Sequence, residues 1–117
     1  MDLEIRFGNS GGFTNIPMEY VLYGDGELAK VQNGQETVVH SVGRKTMREI
    51  KKRIASMDFE HLEINDPGNR TYFIKIKNDA FENAVRWNDS TDNDPIKNLY
   101  KKLTGILTHE AYNAQNF

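Results

Sequence analysis

At 117 residues, with a formal net charge of −2, 38% hydrophobic and 27% charged residues, the chain has the size and make-up of one ordinary globular domain. It contains no cysteine, which excludes disulfide frameworks, thiol nucleophiles and thiolate zinc sites together. No apolar run approaches the ~18 residues of a membrane span, and 15 basic against 17 acidic residues leave no global field to attract nucleic acid or anionic lipid.

The first residues, MDLEIRFG, alternate charged and apolar side chains and lack the features of a secretory leader, so cytoplasmic residence is expected. Leu3, Ile5 and Phe7 alternate with Glu4 and Arg6, the period-2 signature of a half-buried strand. The glycine-rich stretch Phe7 to Pro17, FGNSGGFTNIP, follows. A second strand, about Ile16 to Tyr23, places Met18, Tyr20 and Leu22 on one face. Gly24-Asp25-Gly26 and Asn33-Gly34 both suit tight hairpin turns, so three strands form a meander. With two residues in each turn, Tyr20, Leu22, Ala29, Val31 and Val38 share the expected core face, with Glu27 opposite His40. Val21, Tyr23, Leu28, Lys30, Thr37 and Val39 then take the other face.

Thr46-Met47-Arg48-Glu49 has capping-box spacing, and Met47, Ile50, Ile54 and Met57 recur behind it as the apolar stripe of a helix. Asn65-Asp66-Pro67-Gly68-Asn69 is a turn cluster. Tyr72, Ile74 and Ile76 then alternate with Phe73, Lys75 and Lys77, and a returning strand contains Asn83, Val85 and Trp87. A turn at Asn78-Asp79 or at Asp79-Ala80 puts Tyr72, Ile74, Ile76, Val85 and Trp87 on one face either way. Asp94-Pro95 reads as an N-cap with proline at the first helical position, ahead of Ile96, Leu99, Tyr100, Leu103, Ile106 and Leu107 at helical intervals. The element order implies one α+β domain over residues 1–108, a largely antiparallel sheet with two amphipathic helices packed on one face. Residues 109–117 have no sustained pattern and are expected to fray.

As a phosphate cradle the glycine-rich stretch fails on context. No Lys-Ser/Thr pair follows it, its spacing is not G-x-G-x-x-G, and a strand comes next rather than a helix. Two readings stay open: a wide connection between strands, or a recognition loop over Asn9, Ser10, Gly11, Gly12, Phe13, Thr14 and Asn15 with Phe13 as apolar anchor. His40, His61 and His109 have no partners at a zinc-binding spacing. The polar run Asn88 to Asp94 lacks the central glycine and closing glutamate of a calcium loop. Cations from Arg44 to Arg53 spread broadly around the first helix and read as a solvated face. An alternative surface is the outer face of the second hairpin, where Arg70, Phe73, Lys75, Lys77 and Arg86 combine charge with an aromatic platform for nucleic acid or another partner. No nucleophile is flanked by a base and no cofactor fingerprint occurs, so the expectation is a non-enzymatic chain without metal or cofactor.

Ser10-Gly11-Gly12-Phe13 at a strand end, a helix running into Asp58-Phe59, then Tyr72-Phe73-Ile74-Lys75-Ile76, Val85-Arg86-Trp87, Asp89 and Pro95 before a leucine-rich helix form a familiar sequence of elements. In that order the chain resembles the emfourin-like proteins, small bacterial inhibitors of thermolysin-like zinc metalloproteases, over about Leu3 to Leu107. It differs from them by extra strand material at about Gly24 to Val42. The resemblance implies a protein partner, a metalloprotease by analogy; the charge balance disfavours nucleic acid, and a monomer or weak dimer is expected. It also implies a loop over Asn9 to Asn15 that occludes the protease cleft, with Phe13 in a subsite.

Overall fold

A computed structural model describes residues 3–11 and 18–115, with side chains as far as Leu107. The chain order is β1 (Glu4–Gly11), β2 (Met18–Tyr23), β3 (Glu27–Gln32), β4 (Gln35–Ser41), α1 (Arg44–Ser56), a 3-10 turn (Phe59–His61), β5 (Arg70–Lys77), β6 (Glu82–Asn88) and α2 (Asp94–Gln115). The strands make one six-stranded sheet in the order β4-β3-β2-β1-β5-β6. Every neighbouring pair is antiparallel. The fold is therefore α+β, as the element order implies.

Alternation along β1 sends Leu3, Ile5 and Phe7 into the core, where they meet Leu22, Leu28, Ile74, Ile76, Val85 and Trp87 from the flanking strands. Met47, Ile50 and Ile54 of α1 and Ile96, Leu99 and Leu103 of α2 close this layer from the same side. Each such aliphatic side chain, once buried, contributes roughly 1.5–3 kcal/mol of hydrophobic stabilisation. Between the layers, Phe59 is buried, and Asn83 Nδ2 donates to the carbonyls of Phe59 (2.9 Å) and Leu62 (2.8 Å), fixing the 3-10 turn on β6.

The second hairpin adopts the Asp79-Ala80 register: Lys77 pairs with Glu82, and the Asn78 amide donates to the Phe81 carbonyl at 2.9 Å. Tyr72, Ile74, Ile76, Val85 and Trp87 consequently share the core face. The Asn33-Gly34 turn has two residues, with φ of 52° and 78°, and joins Gln32 to Gln35.

The first turn of the meander corrects the sequence reading. Leu22 pairs with Leu28 and Val21 with Ala29, so Gly24-Asp25-Gly26 is a three-residue loop. Gly26 lies at φ 98°, its amide donates to the Tyr23 carbonyl at 2.9 Å, and Asp25 Oδ1 accepts from the Glu27 amide at 3.0 Å. One extra residue turns β3 over: Leu28 enters the core, while Ala29, Val31 and Val38 join Val21 and Tyr23 on the outer face. A bulge where Ala29 faces Val38 but Leu28 faces His40 leaves Val39 extra, and Glu27 faces Ser41 instead of His40.

Both helix starts also differ. The N-cap of α1 is Gly43 and makes no side-chain capping bond, so Thr46 lies within the first turn and the capping box does not form. At α2, Asn93 Oδ1 accepts from the Ile96 amide at 3.1 Å, which makes Asn93 the cap and moves Asp94 and Pro95 one position inward. The backbone of α2 continues to Gln115, through the segment expected to fray, because extending a formed helix fixes one residue per hydrogen bond gained. No helix among the described residues is long and apolar enough to cross a membrane.

Candidate functional site

The glycine-rich stretch begins in β1, which is held on both sides as far as Asn9 and by β5 alone to Gly11. Asn9 pairs with Met18 and Tyr72, Ser10 with Thr71, and Gly11 with Arg70. Two glycines are dictated by this packing. A Cβ on Gly8 would lie 1.8 Å from the Met18 carbonyl oxygen, and one on Gly11, at φ 91°, would lie 1.9 Å from that of Asn69. Gly12, Phe13, Thr14 and Asn15 lie outside the described residues.

Half-buried Asn9 donates from Nδ2 to Tyr100 Oη at 3.1 Å. The Tyr100 ring meets Tyr72 and Trp87 edge-on, each at 5.3 Å between centroids, and Tyr72 stacks on Trp87 at 5.8 Å. Tyr72 Oη donates to Asp89 Oδ1 at 2.6 Å. Burial pushes both phenols above their ordinary pKa, and Asp89 adds to the effect at Tyr72. Arg70, raised chiefly by its interaction with the Tyr72 hydroxyl and then by Asp89, completes the rim as a cation. Phenols held neutral in this cluster orient and brace; they offer no base near neutral pH.

The platform combines residues from β1, β5, β6, the loop after β6, and α2. Sequence patterning places Tyr72, Trp87 and Tyr100 in the core but does not identify the Asn9 to Tyr100 link. The available signal was the hydroxyl of Tyr100, which needs a polar partner when its helix stripe is buried.

The alternative surface is not one patch. Phe73, Lys75, Lys77 and Arg86 do share the outer face, but Arg70 has the parity of Tyr72 and belongs to the helix side at the end of β5. That departs from the sequence grouping, and the reason is simple alternation: Arg70 is an odd number of residues from Phe73. Lys75 pairs with Glu82 at 3.1 Å, and Arg86 donates from Nε and an η nitrogen to Asn65 Oδ1 at 3.0 and 2.8 Å. Further along the same face, Arg6 pairs with Glu4 (3.2 Å), Glu19 (3.0 Å) and Glu36 (3.8 Å). Most of this face's cations are thus already engaged.

His61 Nδ1 lies 2.9 Å from Asp58 Oδ2, an exposed pair. The Asn88 to Asp94 run closes on protein groups: Asn88 Oδ1 accepts from the Ser90 amide at 2.7 Å, and Thr91 Oγ1 donates to Asp66 Oδ2 at 2.7 Å. Among the described residues no group of three or more histidine or acidic side chains is placed to hold a metal ion.

No protein-family model matches the chain, and no curated protein matches it.

Proposed function

We propose that this chain is a non-catalytic protein-binding module that presents residues 9–15 to the cleft of a partner, with cytoplasmic residence as the accompanying expectation. The partner class is the thermolysin-like metalloproteases, on the strength of the resemblance to emfourin-like inhibitors. The observation that carries the reading is the bracing of Asn9 by Tyr100, together with ladder pairing of β1 out to Gly11. A binding segment whose base is ordered in advance loses less entropy on docking, so the same contacts give tighter association. Phe13 is the apolar anchor in this reading, and backbone groups beside the glycines pair along the cleft.

Titrating the full chain against thermolysin and several relatives with a fluorogenic peptide tests it. Stoichiometric loss of activity is expected, weakened about tenfold or more by Phe13→Ala, as for loss of an aromatic anchor. Unchanged proteolysis across the panel at excess protein refutes the assignment.

A further inference from the structure

The near-neutral total charge hides a strong segregation. From Arg44 to Ser56 and from Asp94 to Leu107, the two helices carry nine lysines and arginines against Glu49 and Asp94, a formal +7. Residues 3–11, 18–43 and 57–93 carry six cations against thirteen carboxylates, a formal −7. These two sets cancel, and Asp2 and Glu110 supply the net −2; because both helices lie on one side of the sheet, their cations share a side that the chain total conceals.

We propose that the helical layer binds the phosphate backbone of nucleic acid without reading its sequence. All six cations of α1 are exposed, and its single carboxylate, Glu49, is taken up by Lys102 of α2. At about 100° per residue, Lys45, Arg48 and Lys52 fall opposite the buried stripe of Met47, Ile50 and Ile54. On the flank, Arg44, Arg48 and Lys51 line a depression floored by Val42 and Met47, with Asp25 as its one acidic member. Gly43 leaves the first-turn amides without a side-chain cap, and no acidic residue occupies that turn, so the helix end adds to the field. The 13 residues of α1 extend over ~20 Å, enough to follow several successive phosphates.

The chemistry of the face selects this occupant. A protein partner needs apolar or aromatic anchors at the interface centre, and a membrane surface needs apolar side chains to insert. The apolar residues of α1 are committed to the core, and the exposed large hydrophobics among the described residues, Val38 and Val39, lie on β4. Phosphate contact requires only cations and backbone donors. The inference is independent of residues 9–15 and stands or falls apart from the protease reading.

The test is fluorescence anisotropy of the full chain with a labelled random-sequence duplex of ~20 base pairs at about 50 and 200 mM salt. With about four phosphates engaged, affinity is expected to fall roughly 10²-fold between the two conditions. Arg48→Gln/Lys52→Gln should lower the salt slope by about 2. Lys75→Gln/Lys77→Gln, which removes the same charge from the sheet face, should leave the slope unchanged. Thermal melts of both pairs check the fold, and Lys45→Gln gives a milder independent reading. The proposal is overturned by absence of duplex binding at low salt or by equal losses in the two double variants. It is equally overturned if the chain sediments with phosphatidylserine/phosphatidylcholine vesicles while showing no affinity for the duplex.

Discussion

Asn9 and Tyr100 stand 91 positions apart and share a 3.1 Å hydrogen bond, Nδ2 to Oη, that ties the end of β1 to the N-terminal half of α2. Tyr100→Phe keeps the ring against Tyr72 and Trp87 but leaves the Asn9 amide unmatched in a half-buried position. A loss of about 1–2 kcal/mol in urea unfolding is expected. Tyr100→Ala also removes two edge-on ring contacts and should cost about 3–5 kcal/mol. If the bracing organises the recognition segment, Tyr100→Phe also weakens protease inhibition beyond its effect on stability at temperatures where the fold is fully populated. Equal stability of Tyr100→Phe and the parent chain would remove the structural role assigned to this bond.

Gly26 and Gly34 are both turn glycines with positive φ, and they should respond differently to the same substitution. At Gly34, φ is 78° and a Cβ would meet nothing within 4 Å, so Gly34→Ala carries only the conformational cost, about 1 kcal/mol. At Gly26, φ is 98° and a Cβ would lie 2.3 Å from the Val42 carbonyl oxygen, in backbone held close because the Val42 amide donates to the Gly26 carbonyl at 2.7 Å. Gly26→Ala should therefore cost more, about 2–4 kcal/mol, through backbone strain and displacement. Chemical denaturation of the two variants side by side decides it, and equal costs would count against the three-residue loop.

The contrast between those glycines also shows where sequence patterning runs out. Strands β1 and β5 were legible because Leu3, Ile5 and Phe7 alternate with Glu4 and Arg6, and Ile74 and Ile76 with Lys75 and Lys77, which leaves one parity for the core. Strand β3 was not, because Leu28 and Ala29 are adjacent, and Val21 and Leu22 likewise, so both parities offer an apolar set. Loop length then decides the face, and Gly24-Asp25-Gly26 is compatible with either length. The helix cap shows a similar degeneracy, since Asn93 and Asp94 are both good caps and one residue separates them. Charge segregation was illegible for another reason: a sum over the chain contains no geometry, and only packing puts the cations of α1 and α2 on a common side.

Tyr23 provides a pH-dependent prediction. Its hydroxyl donates to Glu36 Oε1 at 2.6 Å, and this bond first, then burial and the charge of Glu36, pushes its pKa up to about 12 from 10.0. Because the folded value lies above the unfolded one, the stabilisation is fully present below pH 10 and is lost as pH rises toward 12. Ultraviolet titration should show one tyrosine ionising late, and Glu36→Gln should bring that transition back toward the ordinary phenol range. An unchanged late transition in Glu36→Gln would show that another environment raises it.

His61 makes the same argument at lower pH. The Asp58 hydrogen bond, then the charges of Asp58 and Glu60, raise its pKa above 6.5. Protonated His61 is therefore favoured in the fold, and its contribution is present below pH 6.5 and fades as pH rises through the folded value. Proton NMR of the imidazole should show a raised midpoint that falls in Asp58→Asn. A midpoint insensitive to that substitution would leave the pairing without electrostatic consequence.

The face assignment of the meander yields the most discriminating substitutions. Leu28 is fully buried and belongs to the core, so Leu28→Ala should cost about 2–5 kcal/mol. Val38, at 59% exposure on the edge strand, should tolerate Val38→Ala or Val38→Thr within about 0.5 kcal/mol. A two-residue first turn reverses that order, since it buries Val38 and turns Leu28 outward. Val21 adds a third measurement: it is fully buried yet stands on the outer face, apart from the main cluster. Val21→Thr places a hydroxyl in that apolar position and should cost about 1–3 kcal/mol, whereas the same change at Val38 meets solvent. Urea midpoints ranked Leu28→Ala lowest, Val21→Thr next and Val38→Thr near the parent chain require the register in which Leu22 faces Leu28, and the opposite ranking of Leu28 and Val38 excludes it.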